Sequence, residues 1–559
     1  MKDLLKGRTK CLLVRPEFLT NTFYNLSDVY DLLGAKSAAP PLGLLIVAAL
    51  LPKHWQLRFV DHDVTPLTEG DIDWADIVFV SGIGPQEETI MRVVRRAQAK
   101  GKLTVVGGSG ACLQPQVYQD ADFVVSGEGE DTIPELLDDL GKGATSGTYR
   151  SGNRANMKTT VTPRYDLAQL DKYLMVGVQY VRGCPFACEF CAQIEIFGRQ
   201  PRTKTTQQVV SELQLLHDLG YRGQIDFGYD NLIGDPVHCA KVLEAMRDWA
   251  IRNDHPFFYS TEATINLAKD DKLLRLMRDN DFRYVFVGIE SADDAVLEQT
   301  KKSQNTTVSP VQACKTFNSY GMTVQTGLIL GFDSETDQTA DNILKMIQDT
   351  GAFPALVLPL HALPSTGLSR RLQKEGRLFR EGELRINRDD RTDTATTGLN
   401  FVTTRPRTTV MRDLIHVLDQ LYDPKNHYER LAMTIAQLKP SPKFTLGLAD
   451  YVQMGKAGIR IFASIGMDRE LAPFFWPMLF KTFFTKPSAI ETMVAQAVLH
   501  AAYAYQARSY MRALEDEIAY VEKVGEDEFN KQMLAQGIDA PVDVHRRESS
   551  ATPATPPPA

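Results

Sequence analysis

Long hydrophobic runs are missing from this 559-residue chain. No stretch reaches about 18 uninterrupted apolar residues, so no membrane-spanning helix is expected. Cysteine is scarce, seven in all. Seven thiols do not make the disulfide framework of a small secreted scaffold, and a reducing, cytoplasmic compartment is expected. A long basic run is also absent and the net charge is −8, which argues against a nucleic-acid binder that relies on phosphate neutralisation. The opening MKDLLKGRTKCLLV has neither the apolar core nor the small-residue cleavage site of a secretory leader. What remains is globular in character: 43% hydrophobic and 24% charged residues, at a length that calls for two to four domains.

Residues 10 to about 150 alternate short apolar runs (11–14, 57–61, 76–80, 103–106 and 122–125) with helical patterns such as EETIMRVVRRAQAK. That alternation predicts a parallel sheet covered on both faces. Three of these strands end in small or Gly-rich turns, VSGIG, VVGGSGA and VVSGEGE. Ligands in such sheets bind at the carboxyl ends of strands, which brings Gly107, Gly108, Ser126, Gly127 and Glu128 forward as candidate contacts. A Gly-, Ser-, Thr- and Asn-rich link is expected over 142–170. Strand and helix patterns then resume, with strands near 176–183, 223–230, 257–263, 284–290, 324–332 and 355–363. Six such units resemble three-quarters of a (β/α)8 barrel, whose functional groups gather at strand C-termini. Beyond a polar stretch at 380–410 the sequence reads as helical to about 535, and the last twenty residues read as a disordered tail.

The run YVRGCPFACEFCAQIEIFGR, from Tyr180 to Arg199, sets Cys184, Cys188 and Cys191 in a C-x3-C-x2-C loop just after the first strand of the second unit. Zinc in a structural site wants four closed ligands, and Cys239 and Cys314 are distant and lie in helical patterns. Tight spacing of three suits an iron–sulfur cube with one iron left open. On chemistry alone, zinc or unligated buried thiols stay as alternatives.

The loop, with aromatic Phe190 before its third cysteine and its place after strand one of a partial barrel, resembles the radical S-adenosylmethionine superfamily. The resemblance implies that Cys184, Cys188 and Cys191 hold a [4Fe–4S] cluster whose fourth iron binds S-adenosylmethionine. It further implies cofactor contacts at later strand ends: Asp230 in GYDN for the ammonium, Glu262 in STEA, Glu290 in VGIES for the ribose, and Gly331 in GLILGFDSE for the adenine. In that last motif the acid is displaced to Asp333 or Glu335. Each acid alone reads equally well as a helix cap or a solvated charge.

A parallel α/β unit before such a barrel resembles the cobalamin-binding class. The D-x-H-x-x-G motif is absent: in VDHDVTPL, His62 follows Asp61 directly and Thr65 stands where Gly is expected. The class then implies cobalamin bound without a protein histidine, with His62 an ordinary loop residue. The expected fold is α/β, with a Rossmann-like cobalamin-binding unit at 1–150, a partial (β/α)6 radical barrel at 151–380, a helical region at 381–537 and a tail at 538–559.

The runs RGCPFACEFCAQIEIFGRQPRTKTTQQVVSEL, PFFYSTEATINLA and LHALPSTGLSRRLQKEGRL are similar to the hopanoid C-2 methylase branch, whose relatives include bacteriochlorophyllide side-chain methylases. Two positions depart from that branch. Ala192 stands where Asp is usual, and Gly228-Tyr229-Asp230-Asn231 where V-D-D-N is usual. The resemblance implies methylation of an unactivated carbon of a polycyclic lipid, with an electron donor such as ferredoxin or flavodoxin. A tetrapyrrole methylase, a non-methylating cyclase and a cobalamin sensor are the alternatives. LAPFFWPMLFKTFFTK, Leu471–Lys486, combines six aromatics with Lys481 and Lys486, which fits either a helical core or peripheral contact at the inner membrane face. Pro473 and Pro477 are expected to interrupt a long amphipathic helix there.

Overall fold

The computed structural model describes residues 7–18, 26–152, 154–379, 398–445 and 447–535. The expected tail at 538–559 and most of the polar stretch after 380 lie outside the described residues.

The N-terminal unit is built on six parallel strands: β1 Lys10–Arg15, β2 Gln56–Asp61, β3 Ile77–Ser81, β4 Leu103–Gly107, β5 Phe123–Ser126 and β6 Gly147–Arg150. Their order is β2-β1-β3-β4-β5-β6. Chain order reverses at β1, which pairs with β2 on one side and β3 on the other, so a crevice for a ligand opens at the carboxyl edge there. Helices cover both faces, and the central strands are accordingly continuous apolar runs: Cys11 to Val14 and Ile77 to Val80 are fully buried. β6 is a departure from the sequence reading, which placed a plain link here. Its residues, GTYR, are polar and alternate in exposure, as an edge strand does, and carry little apolar signal.

The second sheet has seven strands: β7 Met175–Arg182, β8 Arg202–Thr203, β9 Gly223–Tyr229, β10 Phe257–Glu262, β11 Phe282–Glu290, β12 Thr323–Leu330 and β13 Ala355–Pro359. The order β13-β12-β11-β10-β9-β7-β8 is parallel throughout except for the two-residue β8, which runs antiparallel to β7. In β10 and β13, and in β12 from Val324 onward, burial alternates strictly, one residue buried and the next half-buried. One face packs on the outer helices, and the other lines an internal lumen that water reaches. The outer layer is large: Phe227, Tyr259 and Phe282 pack ring on ring between the sheet and its helices.

Helices occupy the rest, at Arg407–Tyr422, Pro424–Gln437, Leu448–Ile461, Ala472–Thr485, Ile490–Val524 and Glu526–Ala535. The segment 472–485 is one helix that continues through Pro477, contrary to the expected interruption. Pro473 sits in its first turn, where no amide donor is needed. Among the described residues no helix is long and apolar enough to cross a membrane.

Candidate active site

The cysteine loop leaves β7 at Gly183, whose φ of +89° only glycine adopts without strain. A side chain there would also strike the carbonyls of Gln200 and Gly198, which return over it at 2.8 and 2.9 Å. The loop is thus folded back tightly, with Cys184 donating its amide to the Gly198 carbonyl at 3.3 Å. Asp230, at the end of β9, receives the Gly183 amide at 2.6 Å. Side-chain amides approach two of the sulfurs: Asn231 Nδ2 lies 3.8 Å from Cys184 Sγ, and Gln304 Nε2 lies 3.6 Å from Cys188 Sγ. Burial pushes the Cys191 thiol up to about 11 and raises Cys184 too, so these two bare thiols keep their protons and cluster assembly must release them. Among the described residues no set of three or more His, Cys, Asp or Glu converges on one point as a single zinc ion requires, these three cysteines included.

The strand ends around the loop carry the expected acids, in different surroundings. Asp230 has one oxygen on the Gly183 amide, while the other, Oδ1, is buried without a partner. Burial lifts its carboxyl to about 6. A buried acceptor lacking a donor, one residue from the thiol-bound Asn231, is the kind of group an incoming ammonium satisfies. Glu262 faces the lumen and accepts the Tyr229 amide at 3.1 Å. Burial first, and the neighbouring Asp226 second, push its carboxyl well above the usual range. Asp226 is itself raised by burial and accepts from the Ser260 hydroxyl at 2.6 Å. Glu290 is ion-paired with buried Lys302, whose ammonium also sits 5.7 Å from the Phe190 ring. Of the two displaced acids near Gly331, Glu335 curls back to take the Gly331 amide at 2.8 Å, with its second oxygen buried 3.8 Å from Arg405. Asp333 turns away to Arg371 and Arg377 at 2.8 and 2.5 Å.

In the N-terminal unit the turns after β3, β4 and β5 lie side by side. Gly108 has φ +97°, and a side chain on it would lie 2.4 Å from the Gly82 carbonyl and 2.7 Å from the Ser81 hydroxyl, so these two turns leave no room for a side chain there. Gly127 donates its amide to Cys112 Sγ at 3.1 Å, and Ser126 Oγ to the Cys112 carbonyl at 3.5 Å. His62 leans on Glu17 at 3.4 Å. Glu128, expected as a corrin contact, has its carboxylate engaged elsewhere. Its carboxylate is buried and divided between Arg182 on β7, at 2.7 Å, and Arg202 on β8, at 2.8 Å. Arg182 also holds Glu130 at 2.9 Å. This clasp joins the turn after β5 to the strand that leads into the cysteine loop.

Helix 367–374 braces the loop from the other side. Leu368 donates its amide to the Glu189 carbonyl at 2.7 Å, Arg371 grips the Glu189 carboxylate at 2.8 Å, and Arg370 takes Glu195 at 2.8 Å. Sequence reasoning missed Lys302, Gln304, Arg370, Arg371 and the arginines of the clasp. Arg182 alone carried a signal, its place directly before Gly183-Cys184.

Three family models match in order along the chain: a B12 binding domain at 32–137, the radical SAM superfamily at 178–347 and a domain of unknown function, DUF4070, at 366–516. The hopanoid C-2 methylase of Rhodopseudomonas palustris is 36% identical over 386 residues, 68% of this chain and 73% of that one. The chain belongs to the cobalamin-dependent radical S-adenosylmethionine methylases. An uncharacterized methyltransferase of Synechocystis sp. is 36% identical over 86% of this chain and 89% of its own length. A bacteriochlorophyllide d C-12(1)-methyltransferase of Chlorobaculum tepidum is 23% identical over 67% and 80%. The fold matches the radical S-adenosylmethionine methyltransferase TsrM from Kitasatospora setae, with TM-score 0.59, 12% identity and coverage of 82% of this chain and 99% of that one. As a member of this enzyme class the protein uses a [4Fe–4S] cluster, S-adenosylmethionine and cobalamin. The donor set, three loop thiols beside an orphaned acid together with the Gly-lined turns of the N-terminal unit, fits those groups.

Proposed function

We propose that this methylase acts on a polycyclic lipid and places the methyl on an unactivated carbon, a hopanoid at C-2. The observation that carries the reading is the 36% identity to a hopanoid C-2 methylase over 386 residues, 68% of this chain. The lumen supports it. Register sets Phe286 beside Glu262 and Leu358 beside Ile329, and these apolar residues are half-buried on the lumen side, as a large apolar guest requires.

An unactivated carbon has no lone pair and no acidic proton, so polar methyl transfer fails; when bound, the cofactors supply a hydrogen-abstracting radical and a transferable methyl group. Cys184, Cys188 and Cys191 would hold the cluster, and Gly107, Gly108, Ser126 and Gly127 would border the corrin. Asp230 would meet the ammonium of S-adenosylmethionine, while Glu262, Glu290 and Gly331 would line its other groups. The residues' task is to orient reacting carbons and exclude water, and the clasp and the brace fix the loop for that purpose. A low-potential ferredoxin or flavodoxin would deliver the electron, and a lipid substrate would be met at a bilayer surface.

The test is anaerobic reconstitution with iron, sulfide, cobalamin and a strong reductant, using S-adenosylmethionine with a deuterated methyl and a desmethyl hopanoid. Labelled lipid formed together with 5′-deoxyadenosine is the expected result. Deoxyadenosine without labelled lipid removes the hopanoid and directs attention to Tyr229, whose hydroxyl fills the space beside Gly177 in the lumen wall.

A further inference from the structure

Nine of the thirteen large hydrophobic side chains that stand exposed among the described residues fall between Tyr451 and Phe484. Four lie on the helix Leu448–Ile461, Phe462 on the π-helical turn Phe462–Gly466 that continues it, Met467 just after that turn, and three on the helix Ala472–Thr485. Each helix packs one face inward: Ile461, Phe475 and Met478 join a buried cluster with the long helix 490–524. The opposite faces are bare. On the first, Val452, Ile459 and Phe462 follow a helical stripe, with Ile459 73% exposed. On the second, Phe480, Phe483 and Phe484 do the same, with Phe484 78% exposed.

The two stripes form one surface, because Phe462 contacts Trp476 at 5.4 Å between ring centroids and Trp476 stacks on Phe480 at 5.8 Å. Core packing therefore accounts for only half of these aromatics. A contiguous exposed apolar surface of this kind marks an interaction site.

Charge decides the partner. Residues 451–486 contain five basic and two acidic side chains, in a chain whose net charge is −8. Both acids are engaged locally: Asp468 accepts the amides of Glu470 and Leu471, and Glu470 pairs with Arg508 at 2.8 Å. Arg460 and Lys486 are likewise turned to backbone carbonyls. Among the described residues of this surface, Lys456, Arg469 and Lys481 are the exposed charges left without an ion-pair partner, exposed Glu470 being paired with Arg508, and all three are positive. We propose that this surface docks on the headgroup region of an anionic bilayer, with the phenylalanines inserted and the lysines at the phosphates. Two copies of so basic a face repel each other, which disfavours self-association through it. No helix here spans a bilayer, so the contact is peripheral. The inference does not rest on the hopanoid reading, because docking needs neither substrate nor radical chemistry.

The experiment is co-sedimentation of the full chain with vesicles of phosphatidylcholine alone and of phosphatidylcholine with phosphatidylglycerol, at low and high salt. Binding to the anionic vesicles, weakened by salt, is expected. F483S/F484S and K456E/K481E should each weaken it more than tenfold while melting like the parent, since every altered side chain is exposed. Three results would overturn the proposal: no binding by the parent; binding by both variants as tight as the parent's; or a parent that ignores vesicles and forms a dimer dissolved by the phenylalanine variant.

Discussion

Glu335 shows what a single displaced residue does. It lies one place beyond the expected acid of its motif, yet it reaches the Gly331 amide, because the chain after β12 turns back on itself. Burial lifts its carboxyl to about 7 from the usual 4.5, outweighing Arg405. Between those values the native state holds more protons than the unfolded chain, so this group lowers stability as pH rises through the window. E335Q keeps the Gly331 bond and removes the titration. It should melt like the parent below about pH 4.5 and be more stable above pH 7, by about 3 kcal/mol for a shift of this size. Parallel melting curves of the two proteins across the window would sink this account. The cysteine trio was legible in the sequence because its members sit within eight residues. Lys302 and Gln304 were not, because what brings them to Phe190 and Cys188 is a long-range closure of the barrel, and an isolated Lys or Gln carries no pattern.

At the level of elements, six of the seven strands of the second sheet and five of the six N-terminal strands were readable from apolar runs between helical patterns. The exceptions are instructive. β6 and β8 are short, polar edge strands that exist only because a neighbour offers its ladder. Helix 367–374 was read as part of a motif, but its purpose shows only in three dimensions: Arg371 ties Glu189, inside the cysteine loop, to Asp333 at the end of β12. It is the first helix of the stretch matched as a domain of unknown function. Loss of this tie should loosen the loop without removing a cluster ligand. R371M is expected to assemble its cluster but to lose iron to a chelator several-fold faster, with R371K intermediate because lysine cannot make the paired contact. Equal rates of iron loss in all three proteins would show that the brace does not act on the loop.

The whole molecule is held as one body by a few buried contacts between units. The Glu128 clasp is the most costly to break, since its loss leaves Arg202 and part of Arg182 buried without a counter-charge, a change of about 3–5 kcal/mol. E128A should split thermal unfolding into two transitions, the N-terminal unit melting first, where the parent shows one. A single transition in the variant would mean that the units are coupled elsewhere. The helix Ile490–Val524 is another such contact. At 35 residues it is about 50 Å long. Met493 and Ala497 lie in the cluster under the exposed apolar surface, Ala507 and Leu514 in the barrel's outer core, and Val521 in a third cluster around Phe379. Adding one residue in its middle would turn everything downstream by roughly 100° and carry each of those side chains out of its socket. Substitutions along this rod can be absorbed one core at a time, whereas an in-frame insertion or deletion strikes all the cores beyond it at once. Its length is therefore the property that descent should preserve most strictly, even among relatives whose residues there have drifted apart.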